Sequence, residues 1–85
     1  MNTLVSDPLA TNVTFKKDTF TVELADGRSI SVPLAKFPRL LNAKKEQLTK
    51  FIISGGGVGI HWEDLDEDIS VKHLLLGVFD LTRGA

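Results

Sequence analysis

Between Thr19 and Leu24 polar and apolar residues alternate without a break, with Phe20, Val22 and Leu24 on one side and Thr19, Thr21 and Glu23 on the other. That period of two is the signature of a strand with one face in water. Asp26-Gly27 follows, and glycine's tolerance of positive φ suits a tight hairpin turn there. Ile30, Val32 and Leu34 then alternate again, so the chain returns as a second strand. Pro33 has no backbone N–H to give to a ladder, which places it at a strand end or a sheet edge. Upstream, Val13 and Phe15 share one face of a strand over residues 12–16, and Lys17-Asp18 makes a tight connection into the hairpin. Residues 1–11 have no period and are interrupted by Pro8, so they are expected to form a flexible N-terminal arm.

After Phe37-Pro38 the period lengthens. Phe37, Leu40, Leu41 and Leu48 can share a helical face while Lys44, Lys45, Glu46 and Lys50 stay in water. Pro38 suits a first helical turn, and Asn42 favours a cap or turn, so one helix or two short pieces fit this stretch equally well. Residues 51–54 read as a strand, Gly55-Gly56-Gly57 as a turn, and residues 58–62 as the returning strand. Alternation sends Ile60 and Trp62 to the core and leaves His61 on the opposite face. A last helix starts at Ser70, its expected cap, with Ile69 and Leu74 positioned as a hydrophobic staple. Val71, Leu74, Leu75 and Val78 form its buried stripe, and Gly77 is placed to close it. Phe79 and Leu81 are candidates for docking beyond it. The expected fold is a small single α+β domain over residues 12–85, ordered β-β-β-α-β-β-α, with helices packed on a mostly antiparallel sheet.

With 85 residues, the chain is near the lower limit for a self-sufficient hydrophobic core, and a homodimer is one way to add buried surface. Hydrophobic residues at 42% and charged residues at 25% are ordinary for a globular domain. Cysteine is absent, which excludes disulfides, cysteine nucleophiles and thiolate metal sites and fits a cytoplasmic protein. No apolar run approaches the ~20 residues of a membrane-spanning helix, and the N-terminus lacks the pattern of a secretory signal. Net charge is only −1, yet Lys36, Arg39, Lys44, Lys45 and Lys50 gather in one segment and the acids crowd into residues 63–68.

That acidic crowd follows the only tryptophan: Gly59-Ile60-His61-Trp62-Glu63-Asp64-Leu65-Asp66-Glu67-Asp68-Ile69. Asp64, Asp66 and Asp68 have the spacing that opens a calcium loop, but Ile69 stands where that loop needs glycine and Leu75 where it needs glutamate. His61 with Glu63 or Asp64 lacks a dependable third ligand for a transition metal. A purely structural account of the acids is available, because Asp66, Glu67 and Asp68 precede a helix whose N-terminus favours negative charge. The glycines are turn glycines; no Lys-Ser/Thr follows them as a phosphate loop requires, and a strand rather than a helix comes next. Ser54 and His61 could face each other across a hairpin, but without a nucleophile elbow. The basic segment 36–50 lacks interleaved aromatics, which disfavours direct nucleic-acid binding.

Taken together, Leu24-Ala25-Asp26-Gly27-Arg28, Val32-Pro33-Leu34, Phe37-Pro38-Arg39-Leu40 and the run from Gly59 to Val71 resemble the small bacterial family catalogued as domain of unknown function 2442. The resemblance covers roughly residues 13–77. It implies a compact α+β fold, no established enzymatic activity and no catalytic residues to carry over. Members of that family stand alone or precede a helix-turn-helix domain, and a toxin–antitoxin role has been suggested for solitary ones encoded beside another small protein. Ending at Ala85, this chain resembles the solitary kind.

These observations favour a non-catalytic interaction module that binds or regulates a protein partner, with no cofactor. The candidate partner surface is His61, Glu63, Asp64, Asp66 and Glu67, which offers negative charge to a basic patch. Two alternatives are a metal- or small-ligand-binding domain built on His61 and the adjacent acids, and a nucleic-acid binder using the 36–50 segment.

Overall fold

The computed structural model describes residues 8–77. Six strands form two three-stranded antiparallel sheets, each a meander in chain order. The first comprises β1 (Ala10–Phe15), β2 (Thr19–Leu24) and β3 (Ser29–Pro33); the second comprises β4 (Phe51–Ser54), β5 (Gly59–Trp62) and β6 (Glu67–Ser70). A 3-10 turn over Leu34–Lys36, α1 (Pro38–Leu41) and α2 (Lys45–Leu48) connect the sheets, and α3 (Val71–Leu76) follows β6 directly. The expected α+β class and order of elements hold. One sheet was expected and there are two: no ladder joins β1–β3 to β4–β6 among the described residues, and a sixth strand completes the second meander.

The first hairpin forms as its alternation dictates. Phe20 and Val22 are buried, and Thr21 pairs in register with Thr14 and Ser31 on the outer face. Gly27 turns the chain at φ 94°, and the Asp26 carboxylate accepts from the Arg28 backbone N–H (3.0 Å) and from its Nε (2.8 Å). β3 is an edge strand and Pro33 is its last residue, which answers the missing donor. β1 begins at Ala10, two residues earlier than expected, with a register irregularity between Ala10 and Asn12. The remainder of the expected arm, residues 1–7, lies outside the described residues, as do Val78, Phe79 and Leu81.

The 38–48 stretch is two single-turn helices. Asn42 ends the first, its side-chain amide donating to the Pro38 carbonyl at 2.9 Å. At the second, the Lys44 N–H donates to the Gln47 side chain at 2.9 Å. Gly57, at φ 120°, lets the turn before β5 press on the start of β1: a Cβ there would lie 2.9 Å from both the Ala10 carbonyl oxygen and Leu9 Cβ. The inner faces of both sheets and the three helices share one core that includes Phe20, Leu40, Ile60, Trp62 and Leu74. Within it Trp62 Nε1–H donates to the Leu48 carbonyl at 3.0 Å, tying the end of α2 to the second sheet. Among the described residues no helix is long and apolar enough to cross a membrane.

Candidate functional site

The second sheet is built in four cross-strand rows. Phe51, Trp62 and Glu67 form one inward row, and Ile53, Ile60 and Ile69 form the other. The outward rows are Ile52, His61 and Asp68, then Ser54, Gly59 and Ser70. His61 therefore stands on the middle strand, facing away from the core as alternation predicts, with an isoleucine on one side and an aspartate on the other. Ile52 is 56% exposed.

Both imidazole nitrogens face carboxylates. Nδ1 lies 2.7 Å from Asp68 Oδ1, and Nε2 lies 3.0 Å from Glu63 Oε1. The Glu63 contact, followed by that of Asp68, holds the imidazole pKa above its ordinary value, favouring the doubly protonated ring that donates to both. The carboxylates of Glu63 and Asp68 remain largely in water. With its two nitrogens turned to opposite partners, the ring is a positioned cationic bridge. Ser54 lies across from Gly59 rather than from His61, so no serine–histidine pair forms there. No group of three potential metal ligands converges among the described residues.

The turn from Trp62 to Glu67 carries the remaining acids. It closes with Asp66 at φ 51°, a left-handed conformation that aspartate tolerates better than most residues, and the Asp66 N–H donates to the Glu63 carbonyl at 3.2 Å. Arg39 Nη1–H donates to the Asp66 carbonyl oxygen, and its guanidinium lies 3.8 Å from the Asp66 carboxylate. Lys50 Nζ lies 3.9 Å from Asp64. The basic 36–50 segment is thereby dispersed, with Arg39 and Lys50 turned towards this acidic turn and Lys45 elsewhere, beside Leu40 and Leu48.

Two expectations need correction. Glu67 is 1% exposed and points inward beside Trp62, with Arg39 Nη1 3.9 Å from its Oε1, so it is no part of an accessible surface. The acids before the last helix do not serve as its N-terminal charges. Glu67–Ser70 is a strand, Asp68 is committed to His61, and the cap is Ser70, whose Oγ accepts from the His73 N–H at 3.3 Å. Gly77 ends that helix at φ 78°, as its position suggested. Missing from the candidate set were Asp68 and Ile52, which cross-strand register brings beside His61.

The family described as protein of unknown function, DUF2442, matches residues 10–80, nearly the whole chain. The chain belongs to DUF2442. Two solved structures share this DUF2442 fold. One is the crystal structure of a protein of unknown function from Rhodospirillum rubrum, 32% identical, with a TM-score of 0.76 over 87% of this chain and 92% of that one. The other is the solution structure of an uncharacterized protein from Chromobacterium violaceum, 28% identical, with a TM-score of 0.71 over 82% of this chain and 66% of that one. No curated protein matches the chain.

Proposed function

We propose that this DUF2442 chain is a non-catalytic interaction module that docks a basic segment of a protein partner on the outer face of its second sheet. The observation that carries this reading is Ile52, a large apolar side chain half in water on the edge strand β4, at the border of a charged face. The outer face of the first sheet offers a contrast. There the corresponding row is Thr14, Thr21 and Ser31, and Thr21 and Ser31 satisfy each other at 2.7 Å. An apolar anchor bordered by charged groups fits the core-and-rim anatomy of an interface.

Beside Ile52 stands His61, with Asp68 across from it on β6 and Glu63 at its Nε2; Asp64 and Asp66 lie in the turn that follows β5. The existing pairs of Asp64 and Asp66 are long, 3.9 and 3.8 Å, and lie in water. Such pairs contribute little to stability and exchange readily for a partner's lysine or arginine. His61 fixes two of the carboxylates in place, so a partner finds them already oriented. A partner encoded beside the chain, as in a toxin–antitoxin pair, is the kind this reading anticipates.

The test is affinity capture from cells of the source organism with the wild type and a Glu63→Gln/Asp64→Asn/Asp66→Asn variant, both shown to be folded by circular dichroism. A partner retained by the wild type, released by salt and lost with the variant supports the reading. Equal recovery by both proteins removes it.

A further inference from the structure

On the other side of the helical connection lies a groove of about 470 Å³ that the outer-face reading does not use. Its apolar lining includes Phe15, Leu34, Leu40 and Leu48, and Leu41 stands at its side with half its surface in water. Three lysines line it as well. Lys16 and Lys17 come from the connection between β1 and β2, and Lys45 opens α2. Among the described residues no carboxylate comes within 4 Å of any of these three, although Asp18 and Glu46 adjoin them in sequence.

We infer that this groove docks an acidic amphipathic segment of a protein partner, its leucine or phenylalanine side chains on the apolar floor and its carboxylates against Lys16, Lys17 and Lys45. The placement of the cations selects that occupant. A ligand with a single anionic group is held by donors that converge on one point, whereas here the lysines come from two separate elements, the β1–β2 connection and α2. An occupant that meets them all carries several negative charges along its length. A nucleic acid would also bring several charges, but single strands bind by stacking bases on free aromatic faces. The aromatic ring lining this groove, Phe15, is packed against Phe20 and Phe51 at centroid distances of 6.3 and 6.2 Å. An apolar trough with a cationic rim instead matches helix-in-groove recognition, where apolar anchors give affinity and rim charges give selection.

The probe is a fluorescein-labelled peptide with leucine and phenylalanine at i, i+3, i+4 and i+7 and glutamate elsewhere, titrated into the full chain by anisotropy and NMR shift mapping. Three competitors run beside it: a scrambled peptide of the same composition, a single-stranded oligonucleotide and a medium-chain fatty acid. The expected result is saturable binding with shifts at Phe15, Leu40, Leu41 and Leu48. Affinity should weaken about tenfold or more in Lys16→Glu/Lys45→Glu and in Leu41→Asp, all changes at exposed positions. It should be unaffected by Glu63→Gln/Asp64→Asn/Asp66→Asn, which separates this groove from the outer face of the second sheet. The inference is overturned by an absence of binding, by equal binding of the scrambled peptide, by shifts that map elsewhere, or by tighter binding of the oligonucleotide or the fatty acid.

Discussion

Replacing Trp62 with phenylalanine removes a side-chain hydrogen bond that ties α2 to the second sheet, while keeping an aromatic ring in the core. Trp62 has no exposed surface, and its Nε1–H reaches the Leu48 carbonyl at 3.0 Å. Two losses add. Leaving a buried carbonyl without its donor costs about 1–3 kcal/mol. Removing the outer part of the indole costs a further ~1–2 kcal/mol in lost burial and residual cavity. A total near 3 kcal/mol is a large share of the roughly 4–13 kcal/mol expected for a domain of this length. At a urea m-value of about 1–1.5 kcal/mol/M the unfolding midpoint should fall by about 2–3 M, followed by far-UV circular dichroism. The loss should also be directional. Native-state amide exchange in α2 should accelerate more than exchange in the β1–β2–β3 sheet, because the severed tie belongs to α2. A midpoint shift below about 0.5 M, or equal acceleration in α2 and the β1–β2–β3 sheet, would refute the anchoring role.

Three further outcomes follow from the same geometry. His61 has its folded pKa raised above the unfolded value of 6.5, so its bridge stabilises fully below that pH and is lost as pH rises through the folded pKa. The wild-type urea midpoint minus that of His61→Gln should therefore shrink between pH 5.5 and pH 8.5; a constant difference contradicts the bridge. Gly57→Ala should cost about 2–3 kcal/mol and Gly27→Ala about 1 kcal/mol by thermal unfolding, since both positions have positive φ but only Gly57 meets neighbouring backbone. Equal losses would remove the close approach to β1 as the reason for Gly57. Arg39→Ala should destabilise by about 1–2 kcal/mol in urea, because its guanidinium serves both the Asp66 carbonyl and the buried Glu67 carboxylate. A neutral result would mean that Arg39 does neither.

The legible parts of the fold were those where local pattern and tertiary placement agree. Phe20, Val22 and Leu24 alternate and are buried; Asp26-Gly27 turns; Trp62 and His61 fall on opposite faces of β5. β6 was not legible, because its inward positions are Glu67 and Ile69 and a glutamate at a core position breaks the apolar alternation. What accommodates that glutamate includes Arg39, distant in sequence and unmarked by any local motif. The same gap hid Asp68 as the partner of His61, since only the β5–β6 register opposes them. The lysine-lined groove escaped for a similar reason. Lys16 and Lys17 are far from Lys45 in sequence, and the three come to line one groove only in the fold. Acidic clustering was visible in the sequence, but which acids are accessible is a property of the fold.

The central claim, that the outer face of the second sheet receives a partner, is tested most directly by placing a photo-cross-linking amino acid at Ile52 and, separately, at Ser31 on the outer face of the first sheet. Irradiation in the source organism should join a discrete partner to the protein carrying the cross-linker at position 52. Peptides of that adduct released by a glutamate-specific protease should be rich in lysine or arginine beside the cross-linked residue, and position 31 should yield no such adduct. Identical adducts from both positions, or none from position 52, would contradict the account.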